Sequence, residues 1–74
     1  MTVDLSHYGT FFARRHPGQR WHIVMGINGT YCGLYLGATR NNESNDSRGL
    51  RGNICLRCAA AFKSWVGVDV LKEV

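Results

Sequence analysis

Three cysteines carry most of the chemistry this sequence can offer: Cys32, Cys55 and Cys58. Two residues separate Cys55 from Cys58, and Cys32 lies well upstream with Gly33 behind it. An odd number of cysteines leaves a thiol over in any disulfide framework. Three thiolates and one imidazole, by contrast, are a common structural zinc set, because Zn2+ takes four sulfur and nitrogen ligands in a tetrahedron. The fourth ligand must then come from His7, His16 or His22. His22 is preferred because it shares a β-prone stretch with Cys32; His16, in a Pro-Gly turn, is the alternative. The expected ligand set is His22, Cys32, Cys55 and Cys58 around a structural Zn2+.

Two elements must bring these residues together. Residues 54–66 carry helix-favouring Ala59, Ala60 and Ala61, with Cys58, Phe62, Trp65 and Val66 at spacings that predict one buried stripe. Gly67 is the expected stop. The Cys-x-x-Cys pair thus opens a helix, where the first turn sets both sulfurs on one side and the exposed amides and helix dipole favour thiolate charge. Residues 20–36 read as a β-hairpin, with Asn28-Gly29 between two β-prone runs. A two-residue turn there puts His22 and Cys32 on opposite faces. A three-residue loop, Ile27-Asn28-Gly29 with Gly29 left-handed, pairs His22 with Leu34 and makes His22 and Cys32 diagonal neighbours. A shared ion therefore requires a bulged hairpin or a local knuckle at Cys32-Gly33. The fold expected is a small metal-stabilised α+β domain, a β-hairpin and one C-terminal helix sharing a zinc ion.

The remaining stretches are less regular. Residues 1–19 read as an irregular N-terminal arm with Tyr8, Phe11 and Phe12, ending in the turn at Pro17-Gly18. Residues 20–66 form the finger domain, within which 37–53 is a polar loop, and 67–74 is a C-terminal tail.

Composition sets the outer limits. At 74 residues the chain is one domain, burying only about 60% of the surface its unfolded form exposes. Chains below roughly 70–80 residues usually need a metal, a disulfide or a partner. With 45% hydrophobic and 19% charged residues, a wholly disordered chain, a collagen and a coiled coil are excluded. An enzyme is not expected. Four protein ligands close a zinc site, and none of Asp4, Glu43, Asp46, Asp69 and Glu73 lies near a ligand in sequence. A thioredoxin-like role for Cys-x-x-Cys lacks its βαβ pattern, and an iron–sulfur cluster on the same ligands is a minor alternative.

The formal net charge of +4 fits an acidic partner. From Arg48 to Lys63 the chain holds Arg48, Arg51, Arg57 and Lys63 and no carboxylate, a basic segment suited to phosphates. Arg20 would add to it, with Trp21 or Tyr35 stacking on bases. The function expected is a small zinc-finger binding protein that engages nucleic acid or a transcription-related assembly. The alternative is a protein–protein interaction module that docks on a host or partner protein, or on a second copy, through the aromatic arm. The first residues lack the basic start and apolar stretch of a secretory signal, and no window reaches the length of a membrane span. A cytoplasmic location without membrane contact is therefore expected; the oligomeric state is open.

The run His22-Ile23-Val24, Thr30-Tyr31-Cys32-Gly33 and Cys55-Leu56-Arg57-Cys58 ahead of a helix resembles a group of small zinc-binding proteins of actinobacteria and their phages. The resemblance covers roughly residues 20–66 and implies a three-Cys, one-His site. It also implies a cytoplasmic protein of the host cell if the chain is phage-encoded. A treble-clef or zinc-ribbon finger is similar in letting a hairpin and a helix start share the ion, although here a His-Cys pair replaces the usual Cys-x-x-Cys knuckle.

Overall fold

The computed structural model describes residues 4–16, 18–37, 42–44 and 53–71. It is a small α+β fold. A 3-10 turn, Leu5–Tyr8, leads into strand β1 (Phe12–Arg14); β2 (His22–Met25), β3 (Gly29–Thr30), β4 (Asn42–Ser44) and helix α1 (Leu56–Val66) follow. The strands form one antiparallel sheet in the order β3-β2-β1-β4. Among the described residues, no helix is long and apolar enough to cross a membrane.

The stretch expected to be an irregular arm supplies a strand inside this sheet. β1 pairs with β2 through Phe12↔Ile23 and Ala13↔His22, and with β4 through Ala13↔Glu43. It buries side chains on both faces. Phe12 belongs to the main core with Leu5, Ile23, Ile54, Cys58, Phe62 and Val70, while Ala13 packs with Val24 and Leu36 on the other side. A strand covered on both faces shows an unbroken apolar run, here Phe11-Phe12-Ala13, and no polar alternation to betray it. Phe12 is therefore core, whereas Tyr8 stays half exposed while meeting Phe62 edge-on at 5.8 Å between ring centroids. β4 lies within the expected polar loop 37–53, recruited by pairing with β1.

The hairpin also differs from its expected form. Val24 faces Thr30 and Met25 faces Gly29 across a loop of Gly26, Ile27 and Asn28, instead of a loop ending in Gly29. The left-handed residue is Gly26 at φ +74°, and Gly29 sits in the strand. The second strand stops at Thr30 instead of running to Leu36. The cause is local: Thr30 O accepts the Gly33 N–H at 3.0 Å, and Thr30 Oγ1 accepts the Leu34 N–H at 2.9 Å. Those two bonds turn the chain away from β2 just before Cys32.

Helix α1 starts and stops as the sequence suggests, with Cys55 at its N-cap and Gly67 at its C-cap. Its buried face is narrower than the expected stripe. Cys58, Ala59 and Phe62 are buried, but Trp65 is 79% exposed and Val66 37%. Among the described residues, little packs against the last turn.

Burial separates the two aromatic residues of α1. Truncating Phe62, fully enclosed, costs about 3–5 kcal/mol, a large share of a small domain's stability. Trp65→Ala stays within about 0.5 kcal/mol because little is lost from an exposed site. Urea denaturation of Phe62→Ala and Trp65→Ala beside the wild type checks this; equal losses would contradict the burial pattern.

Candidate metal centre

The site is built by one backbone clamp and two turns. Trp21, the residue before His22, donates its N–H to Asn53 O, and Cys55 donates its N–H back to Trp21 O at 2.7 Å. This parallel bridge, centred on Trp21 and Ile54, fixes the start of α1 against the start of β2. Trp21 is held in turn by its buried ring, which the Arg14 guanidinium covers at 4.2 Å from the centroid. Covered in this way, Trp21 is not a stacking surface for bases.

Cys55 occupies the N-cap, but its thiol makes no capping bond, so the sulfur is free to turn inward. Cys58 lies one turn later and is fully buried. On the hairpin side, the Tyr31 N–H still reaches Ile23 O at 3.0 Å before the chain turns through Cys32 and Gly33. Gly33 adopts φ +91°, a conformation that residues with a Cβ rarely accept. This is the local knuckle that the ligand hypothesis required.

The four expected ligands come together. One donor atom from each of His22, Cys32, Cys55 and Cys58 lies within 4.8 Å of all the others. His22 Nδ1 is 3.5 Å from Cys32 Sγ and 3.7 Å from Cys58 Sγ. A tetrahedral ion with metal–sulfur bonds of about 2.3 Å and metal–nitrogen bonds of about 2.0–2.1 Å requires sulfur–nitrogen edges of about 3.5–3.6 Å. The observed separations match that requirement and assign Nδ1, not Nε2, as the inward nitrogen. A thiol–imidazole hydrogen bond accounts for one such pair; it does not account for four donor atoms around one point.

The electrostatics of the cluster are uneven. Burial pushes the Cys58 thiol up to about 12, with an opposing backbone hydrogen bond from Ile23 too weak to offset it and neighbouring Cys32 and Cys55 adding to the rise. Burial also acts to raise Cys32, but hydrogen bonds from Thr30, Leu34 and the other two cysteines outweigh it and hold that thiol below its ordinary value. Burial, then the positive charge of Arg15, lower His22, which keeps the imidazole neutral and its lone pair free for a metal at neutral pH. Three thiolates this close repel one another unless a multivalent cation sits between them. The chain therefore carries a Cys/His cluster able to bind a metal ion in a structural role.

Of the other expected site residues, Arg57 and Lys63 lie on α1. Arg57 is exposed on the first turn of α1. Lys63 is exposed and lies 3.5 Å from Asp69 Oδ2, which offsets part of its charge. Arg48 and Arg51 lie outside the described residues. Arg20 and Tyr35 are exposed. His16 is exposed in its turn and is not part of the cluster.

Three residues matter here that the sequence reading did not assign to the site: Trp21 through its backbone, Thr30 through its hydroxyl, and Arg15 beside His22. Arg15 donates from Nη2 to Tyr35 O at 2.6 Å, which pins the segment following the knuckle. Only Thr30 left a trace in sequence, its place two residues before Cys32. No protein-family model, curated protein or solved structure matches the chain.

The two histidines separate cleanly by substitution. His22→Ala removes one of the four clustered donor groups, and metal affinity is expected to drop on the order of 100-fold or more, beyond the loss typical of a supporting residue. His16→Ala leaves affinity unchanged and stability within about 0.5 kcal/mol. Competition titration against a chromophoric chelator reads both, and equal behaviour of the two variants would contradict the assignment.

Proposed function

We propose that the chain is a small zinc finger: a binding module whose hairpin and helix are tied by one structural Zn2+ on His22, Cys32, Cys55 and Cys58, in the manner of a treble-clef or zinc-ribbon finger. The observation that carries this reading is the convergence of the four donor atoms. A tetrahedral site of three sulfurs and one nitrogen favours zinc over hard cations, which take oxygen. Four protein ligands leave no open position for a substrate or an activated water, so the role proposed for the ion is structural, not catalytic.

The module's proposed partner is nucleic acid, reached through its basic surface. The formal net charge of +4 supports this, as do exposed Arg20 and Arg57 and the absence of any carboxylate between Arg48 and Lys63. Docking through the aromatic N-terminal segment has less support, because Phe12 is enclosed in the core and Tyr8 leans on Phe62.

Removing the ion tests the first half. A structural zinc contributes on the order of 10–16 kcal/mol in finger peptides at neutral pH, more than a domain of this size holds otherwise. A strong chelator is expected to abolish the near-ultraviolet dichroism and expose the amides of β2 and α1 to exchange. Elemental analysis of the untreated protein is expected to give one zinc per chain and no iron. A fold that survives chelation unchanged would contradict the reading.

The second half is tested by titrating duplex and single-stranded oligonucleotides at low and moderate salt. Affinity is expected to fall steeply with salt, and Arg57→Ala to reduce the logarithmic salt slope by about 1. Absence of binding at low salt, together with a stable complex with a partner protein, would replace nucleic acid by the protein-binding alternative.

A further inference from the structure

Thr30 is buried, at 5% exposure, in the knuckle that carries Cys32. A polar side chain enclosed in a small core must have its hydrogen bonds satisfied there. Its hydroxyl oxygen accepts the Leu34 N–H at 2.9 Å, and the same oxygen lies 3.1 Å from Leu34 O and 3.1 Å from Cys32 Sγ. The hydroxyl has one proton and two acceptors within reach. Leu34 O is a neutral carbonyl, whereas Cys32 Sγ bears charge once it binds a metal, and a charged acceptor makes the stronger hydrogen bond.

We propose that Thr30 is a positioning residue of the metal centre: its hydroxyl donates to the metal-bound Cys32 sulfur while the Leu34 amide holds the oxygen in place. The inference rests on the metal reading above and adds to it an unequal treatment of the three sulfurs. Three features make Thr30 suited to this. Pairing with Val24 at the end of β3 fixes its backbone. Its branched side chain has few rotamers to lose. Its own carbonyl takes the Gly33 N–H, so a single residue closes the turn with its backbone and supports the ligand with its side chain. A hydrogen bond to a metal-bound sulfur draws electron density from it, which tunes the metal–sulfur bond and makes that sulfur a poorer nucleophile.

Thr30→Val keeps the shape and removes the hydroxyl; Thr30→Ser keeps the hydroxyl and removes the methyl group. Zinc affinity is expected to fall about 10–100-fold in Thr30→Val, the range for lost supporting bonds at metal sites, and to recover in Thr30→Ser. With Co2+ in place of zinc, the sulfur-to-metal charge-transfer band of Thr30→Val is expected to move to lower energy and that of Thr30→Ser to return. The wild type provides a readout that depends on no variant's folding. Cys32 and Cys55 are both half-buried, so an alkylating reagent acting on the zinc-loaded protein should modify Cys55 ahead of Cys32, as peptide mapping would show. Equal alkylation of the two, or a Thr30→Val variant with wild-type affinity and an unshifted cobalt band, would overturn the role of Thr30 while leaving the metal site intact. Failure of the wild type to bind zinc or cobalt at all would overturn the metal reading and this inference with it.

Discussion

The structure depends on holding four soft donor atoms around one point, two from a hairpin and two from the start of a helix. Neither element is stable alone. β3 is two residues long, and a helix of 11 residues is at the margin of what persists in water. The cluster joins them beside the main core, against which Cys32 and Cys55 also pack. The main core, centred on Phe12, Ile23, Ile54 and Phe62, lies between sheet and helix, and Cys58 belongs to both core and cluster. Packing and ligation therefore reinforce each other: the core aims Cys58, and a bound ion would keep the core closed.

Charge shows what a bound ion would change. A buried thiol such as Cys58 stays neutral when no cation is near, and its displacement to about 12 reflects that. A dication reverses the preference by stabilising the deprotonated sulfurs directly. The knuckle contributes from the other side. It turns the Thr30 hydroxyl and the Leu34 amide toward Cys32, and these offset the desolvation of that sulfur. The hairpin sulfur is thus prepared by its surroundings, whereas the helix sulfur Cys58 would need a cation beside it to lose its proton.

The clustering of His22, Cys32, Cys55 and Cys58 was legible in the sequence because candidate metal ligands leave compact traces: Cys-x-x-Cys at a helix start, an odd third cysteine, a short chain. The helix boundaries were legible for the same local reasons, with Ala59 to Ala61 inside and Gly67 at the end. The strand of Phe12–Arg14 was not, because both its faces are buried and one of its pairing partners, β4, is remote in sequence. Trp65 misled because helical periodicity shows which residues share a face, not how far the opposing surface extends. The hairpin register depended on Gly26 and on the two hydrogen bonds at Thr30, while Asn28-Gly29 pointed to a loop one residue further along. The Trp21–Cys55 clamp is a backbone contact between distant segments, and side-chain types carry no record of it.

The central claim is that His22 Nδ1 and the sulfurs of Cys32, Cys55 and Cys58 ligate one zinc ion. Zinc K-edge X-ray absorption of the purified protein tests it most directly. The account predicts a four-coordinate shell of three sulfurs at about 2.3 Å and one nitrogen at about 2.0–2.1 Å. A shell of oxygen and nitrogen alone, or protein that purifies without zinc and takes none up, would contradict it.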